Sequence, residues 1–480
     1  MIKTSAIFLF LNYCLGKKVD MSMVVAKIDW RQLYNFASRQ ALLGFCFDGI
    51  ERLTKEFSEE LKQNSIERDL LMTWMGAAQQ IRRQNMKVNA VAGKLFSMLR
   101  EDDFRCCILK GQGNALMYPN PYSRNPGDID VWVNASREQI TVYAKKHFKL
   151  GDDIRFHHLE TTMDGVPVEL HFFPCSMNNP FYHARLQKWF KRNADLQCSN
   201  VVSLPNGIGE IAIPTTAFNV IYQLTHLYHH FFDEGIGMRQ IIDYFLVVND
   251  FSKNVFLDTD FSNSSVSLSN GSSTFSPSPL SSEERDVTAP SRCSEPLRSK
   301  DGGGSKPSPN CAGWDRLSIV GDNSAGSVTA VTSSASTALV VVQRELKYLG
   351  LWKFAGAVMY VLHEALGLSE EKMIAPMEEK RGKLLLAEIL NGGNFGKHFT
   401  KYGHFTQQGM AKKYFLKIWR NMHFVRYYPA EALSEPIFRT WHFFWRLNRK
   451  RGITRILLFL KPYASWFRLH RWCARDMPFK

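Results

Sequence analysis

Two acidic residues one position apart, Asp128 and Asp130, have the types and spacing in this chain best suited to chemistry. They open the extended run Asp-Ile-Asp-Val-Trp-Val, and residues i and i+2 of a strand share one face. Both carboxylates therefore project together, while the apolar residues around them turn the opposite face towards a core. Two like charges held side by side repel unless a cation lies between them, and a hard divalent metal is the natural partner. A third acid, Glu169, stands mid-strand between Val166 and Phe173, with His171 on the same face. Glu169 is placed as a third metal ligand would be. His171 is placed to bind phosphate or to orient Glu169 by a hydrogen bond. Taken singly, an Asp-x-Asp pair is more often a solvated turn, and a strand Glu more often a wet-face residue. Their weight comes from their order in the chain.

The elements that must hold these side chains can be read from periodicity. Phe104 to Leu109 reads as a buried strand, followed by the glycine-rich turn Lys110-Gly111-Gln112-Gly113, a short helix and a loop carrying Arg124. After the acidic strand comes a helix over 136–148, with Ser136 as its cap and Glu138 near it. Ile154 to Thr162 and Val166 to Phe173 form the arms of a hairpin around Met163-Asp164-Gly165, because Asp-Gly between extended runs is a strong hairpin signal. In its second arm Val166, Val168, Leu170 and Phe172 share one face, and Glu169 and His171 the other.

A strand ending in Lys-Gly, a turn, and a strand beginning Gly-Asp-Ile-Asp together resemble the polymerase-beta-like nucleotidyltransferase superfamily. The likeness is closest to a broad bacterial family of uncharacterised nucleotidyltransferases, in which Lys-Gly, an upstream Arg, Asp-x-Asp and a later Glu-Leu-His recur. Here these are Lys110-Gly111, Arg124, Asp128-Ile129-Asp130 and Glu169-Leu170-His171. The resemblance extends over about 30–250 and again from about 346 onwards. Gly111-Gln112 stands where the superfamily usually has Gly-Ser or Gly-Gly. The resemblance implies an α+β fold: a small mixed-sheet nucleotidyltransferase core with N-terminal and C-terminal helical regions. It implies Mg²⁺ or Mn²⁺ on Asp128, Asp130 and Glu169, with an NTP as substrate. Backbone amides of Gly111, Gln112 and Gly113 would cradle phosphate oxygens. Lys110 and Arg124 would offset their charge, and Arg239 would lie over the triphosphate.

Around that core the chain divides into a leader or mis-assigned start (1–22), an N-terminal helical segment (23–100), the catalytic core (101–200), a helical region in two parts (201–250 and 338–480) and, between those parts, a disordered Ser/Gly/Pro-rich insertion (251–337). A disordered leader is the simplest reading of the first stretch, although Ala6 to Leu11 is apolar. The spacing from Trp30 to Arg100 predicts three helices that support the sheet or cover a pocket. From Pro214 the pattern is helical, and His226, His229 and His230 decorate it. His226 and His230 have zinc-like i,i+4 spacing but no third ligand at partner spacing, so lining the cleft or packing is the preferred reading. The adjacent pair His157-His158 invites a metal reading too, against the commoner arrangement of one ring in and one out. Arg239 and Asp243 are helical neighbours that can pair. The insertion costs little if it joins two helices of one hairpin, since loop closure grows only logarithmically with length. Asn391-Gly-Gly-Asn-Phe-Gly reads as a mobile loop.

At 480 residues, with 45% hydrophobic and 13% aromatic residues, the chain can build substantial cores in two or three domains. Its net charge of +15 points to a negatively charged partner. Nine scattered cysteines without CxxC spacing argue for a reducing, cytoplasmic setting and against a zinc or disulfide frame. The tail from Trp441 interleaves Arg446, Arg449, Lys450, Arg451, Arg455, Lys461, Arg468, Arg471 and Arg475 with aromatic residues. It suits docking on the enzyme first and an anionic membrane surface or nucleic acid second. No run reaches the length of a transmembrane segment. The acceptor stays open among a small molecule, a sugar phosphate or lipid carrier, tRNA and a protein side chain. A catalytically idle nucleotide-binding protein and a polyanion-binding protein acting through the tail are the rival classes.

Overall fold

The computed structural model describes residues 4–150, 155–264, 332–398 and 410–451. The first helix, α1 (Thr4–Cys14), buries Phe10, Leu11 and Tyr13 completely, and its Asn12 side chain donates to the Ala365 carbonyl at 3.1 Å. The expected disordered leader is therefore, over 4–14, a packed helix. Its apolar run finds partners that lie far along the chain. After α2 (Ser22–Val25) come α3 (Trp30–Arg39), capped by Asp29 through the Gln32 amide, α4 (Leu43–Glu56), α5 (Ser58–Gln63) and α6 (Arg68–Glu101). Where three helices were expected there are four, because Phe57 and Asn64 leave helical geometry and isolate α5.

The core sheet holds β1 (Cys106–Ile108), β2 (Ile129–Val133), β3 (His158–Met163) and β4 (Val166–His171) in the order β1-β2-β4-β3. β2 and β4 run parallel and the other neighbours antiparallel, which makes the sheet mixed as expected. Between β1 and β2 lies α7 (Gln112–Ala115). Between β2 and β3 lies α8 (Arg137–His147), where Ser136 and Gln139 complete a reciprocal capping box. The hairpin turn puts both Asp164 (φ +51°) and Gly165 (φ +74°) in the left-handed region, as a tight two-residue turn requires. Ile129, Val131 and Val133 face an apolar core shared with α6 and α8. Trp132 faces the other way, stacked near Phe218 at 6.2 Å. Asp130 lies on that second face of the sheet, beneath helices.

Those helices are α9 (Pro180–Ser199) and, after the small hairpin β5 (Val201–Ser203) and β6 (Glu210–Ala212), α10 (Thr216–Asp233) and α11 (Met238–Ser264). They continue as α12 (Thr332–Tyr348), α13 (Trp352–Leu366), α14 (Glu379–Gly392), α15 (Met410–Met422) and α16 (Pro429–Arg451). α11 packs on α12, so the insertion does join neighbouring helices. Its two ends, 251–264 and 332–337, belong to those helices, and the rest lies outside the described residues. The start of the tail docks: Trp441 and Trp445 meet the Phe156 ring edge-on at 5.2 and 5.9 Å. Arg446 and the later tail cations lie outside the described side chains. No helix among the described residues is long and apolar enough to cross a membrane. Six cysteines, Cys14, Cys46, Cys106, Cys107, Cys175 and Cys198, are free thiols.

Candidate active site

Strand register assembles the acids. Asp130 on β2 is the Cα partner of Glu169 on β4, and Glu169 in turn is the partner of Glu160 on β3. Asp130 and Glu169 thus share a face, and Asp128 stands just ahead of the first residue of β2. His171 lies one step along that face. Its Nε2 lies 3.0 Å from Asp130 Oδ1 and 3.2 Å from Glu169 Oε2, which gives the carboxylates a common donor. Asp130, Glu169 and His171 each offer a ligand atom within 4.8 Å of the others.

The charges are arranged in opposition. Asp128 is pushed up to about 6, first by repulsion from Asp130 and then by burial, against the pull of Lys110. Burial also opposes ionisation of Asp130, yet Lys110 and His171 hold that carboxyl well below the usual carboxylate range. Burial works against the charged form of His171 as well, but its bonds to Asp130 and Glu169 push it up to about 9. The Lys110 ammonium, 2.9 Å from Asp130 Oδ1, keeps its charge despite burial. It also lies 2.5 Å from His226 Nε2. An ammonium has only protons to offer, so the His226 ring accepts. Burial and then Lys110 hold that ring far below the usual histidine range, which suits an acceptor. A facing carboxylate pair under repulsion, with an oxygen-rich third member, fits a hard divalent cation.

The loop before β2 is fixed by α6. The Asn85 side chain, 1% exposed, donates to the carbonyls of Tyr122 and Arg124, each at 2.7 Å. Gly44 lets α4 approach the same loop, since a Cβ there would meet the Ser123 carbonyl oxygen at 2.6 Å. Arg124 is held by a buried carboxylate. Its Nε and Nη2 both donate to Asp243 at 2.8 Å, and Tyr118 donates to the same carboxylate at 2.8 Å. The Arg239–Asp243 pair expected within α11 is therefore not formed. Arg239 donates through Nη1 to the Asn125 carbonyl at 3.0 Å, and its buried Nε has no hydrogen-bond partner.

Lys110, Gly111, Arg124, Asp128, Asp130 and Arg239 all line one cleft. Gly111 sits at φ +48°, ψ −101°, a backbone that a side chain would strain. The Gln112 side chain and the Gly113 backbone N–H are engaged within the protein. The Gln112 amide donates to Asn89 at 2.7 Å, the Gly113 N–H goes to the Lys110 carbonyl at 3.1 Å, and a Cβ at residue 113 would lie 2.9 Å from Ile213. Glu169 and His171 stand behind Asp130. Sequence reasoning missed Asn114, Gln223 and Phe395, which also line the cleft. Gln223 donates to Asn114 at 2.5 Å, and Phe395, in the turn read as a mobile loop, covers Arg239 at 5.6 Å. The i,i+4 spacing of Asn219 with Gln223 on α10 was the one available signal. His226 and His230 line the cleft and stack at 4.3 Å, in keeping with the lining reading.

No curated protein and no solved structure matches this chain. One family model does match, that of the uncharacterised nucleotidyltransferases, over residues 26–262. This span takes in α3 to α6, the whole core sheet, α10 and nearly all of α11, and so every residue assigned to the site from the sequence. Through residues 26–262 the chain belongs to the family of uncharacterised nucleotidyltransferases, which makes it a transferase.

Proposed function

We propose that the cleft moves a nucleoside monophosphate from an NTP to an acceptor hydroxyl. The acceptor oxygen attacks the α-phosphorus, the bond from that phosphorus to the bridging oxygen breaks, and pyrophosphate leaves. The observation that carries this reading is the register of Asp130 with Glu169 across two parallel strands, beside Asp128 and within reach of Lys110. Asp128, Asp130 and Glu169 would hold Mg²⁺ or Mn²⁺, which would neutralise the triphosphate and lower the cost of charge at the entering and leaving oxygens. Lys110 balances the acids until nucleotide arrives and then shares its charge with the phosphates. His171 keeps Asp130 and Glu169 in one orientation. Arg239, with an unused buried donor, is the cation best placed for a phosphate oxygen, while Arg124 serves as a strut under Asp243. The enclosed space is only about 60 Å³, room for a few waters and well under the hundreds of Å³ a nucleotide needs. The cleft is partly open to solvent, so the phosphates would enter this space and the rest of the nucleotide would lie outside it.

The test is pyrophosphate release from each of the four NTPs with Mg²⁺ or Mn²⁺, using cell extract as acceptor source. Wild type is compared with the double substitution Asp128→Asn, Asp130→Asn. Release in wild type that disappears in the double variant is the expected result. Nucleotide binding without release would identify an idle member of the fold, and no binding would overturn the reading.

A further inference from the structure

Next to the carboxylates lie two histidines that this mechanism leaves unused, His157 and His158, and a third, His171, of which it uses only one ring nitrogen. His158 is the Cα partner of His171 across the β3–β4 ladder, so the two rings share the site face of the sheet. His157, just ahead of β3, brings a third ring. Their centroids are 4.2 Å apart for His157–His158, 5.5 Å for His157–His171 and 5.1 Å for His158–His171, with interplanar angles of 75°, 50° and 60°. One ring nitrogen from each lies within 4.8 Å of the others. The three rings can therefore each offer one nitrogen to a single ion.

His171 carries the decisive detail. Its Nε2 faces Asp130 and Glu169, while its buried Nδ1 has no hydrogen-bond partner. A histidine that donates one ring N–H to a carboxylate and has no protein partner for its other nitrogen is oriented as metal-bound histidines are. His158 repeats the pattern: Nε2 lies 3.4 Å from Glu160, and Nδ1 is buried without a hydrogen bond, 3.1 Å from Glu169 Oε2. Burying a ring nitrogen without a hydrogen bond costs free energy, a cost that a bound ion would offset.

We propose that His157, His158 and His171 form a second metal site, nitrogen-rich and adjoining the carboxylate cluster, for a borderline transition ion of the zinc class. Three imidazoles select such an ion over Mg²⁺, which prefers oxygen ligands and near-ideal octahedral geometry. Glu169 or water completes a four-coordinate shell. Binding displaces the proton from His171 Nδ1 and leaves Nε2–H on Asp130, so one ring ties the nitrogen site to the carboxylate site. This inference does not depend on nucleotidyl transfer, and its test reads no activity.

The probe is Co²⁺, titrated into the full chain after chelator treatment and followed by visible absorption, with Mg²⁺ in large excess. The expected result is one Co²⁺ per chain, with the intense bands of a low-coordinate nitrogen site unaffected by Mg²⁺. His157→Ala and His158→Ala each lose the bands and bind Co²⁺ about tenfold more weakly or worse, whereas exposed His147→Ala behaves as wild type. Thermal melts of each variant establish that it folds. Should the alanine variants fail to melt cooperatively, His157→Gln and His158→Gln give the same reading. Co²⁺ displaced by Mg²⁺, bands that survive both histidine substitutions, or no stoichiometric binding to wild type would each overturn the site.

Discussion

Replacing Asp128 with Asn should stabilise the metal-free protein while abolishing nucleotidyl transfer. Asp128 is pushed from 3.8 to about 6, by Asp130 first and burial second. An acid whose pKa is higher in the folded than in the unfolded state keeps its proton longer on folding. Stability therefore falls as pH rises from 3.8 to about 6, and the whole penalty stands above that window. A shift of this size corresponds to roughly 3 kcal/mol. Asn keeps the shape and removes the charge. In chelator at pH 8 the variant should melt a few degrees higher than wild type. The gain should shrink to about half at pH 5 and nearly vanish near pH 4, where wild-type Asp128 is itself neutral. Adding Mg²⁺ at pH 8 should raise the wild-type melting temperature and leave the variant unmoved, with pyrophosphate release at background. An Asn variant that is no more stable than wild type at pH 8 in chelator would refute the repulsion argument, whatever its activity.

Four further outcomes follow from the geometry. Arg124→Met strands Asp243 in a buried site and should cost about 3–5 kcal/mol, seen as a lower melting temperature; the pair Arg124→Met, Asp243→Leu should recover most of it. Arg239→Gln should instead leave melting nearly unchanged and raise the NTP KM. Phe395→Ala should open the cleft and lower the NTP KM, measured by initial rates over a range of NTP concentrations. Glu431 on α16 accepts the backbone N–H groups of Asn178 at 2.5 Å and Asn179 at 3.1 Å, yet burial pushes it up to about 7. Its folded value lies above its unfolded one, so stability should fall as pH rises from 4.5 to about 7. Glu431→Gln should flatten that part of a melting-temperature profile against pH.

The acids were legible because strand alternation is local. Asp128, Ile129 and Asp130 need only an extended backbone for two carboxylates to share a face, and Asp164-Gly165 sets the hairpin that brings Glu169 and His171 to theirs. The partners of the arginines were not legible. Asp243 is four residues from Arg239 in the chain but bonds Arg124, because the docking of α11 against the loop before β2 brings a flat bidentate donor to that carboxylate. The same limit applies to α1. Ala6 to Leu11 is a short apolar run, and what it packs on, α4 and the chain near Ala365, is supplied by segments distant in sequence.

By itself, then, the sequence determined the sheet-borne acids, the Lys110–Gly111 turn, the hairpin and the α+β class, all of which follow from period, turn chemistry and order within short windows. The tertiary structure alone decided which arginine binds Asp243, that the Gln112 side chain and Gly113 turn inward, that Phe395 lines the cleft, and that His157, His158 and His171 lie together. These depend on contacts between residues far apart in the chain, whose geometry is set by packing several helices on one face of the sheet, and no local pattern encodes it.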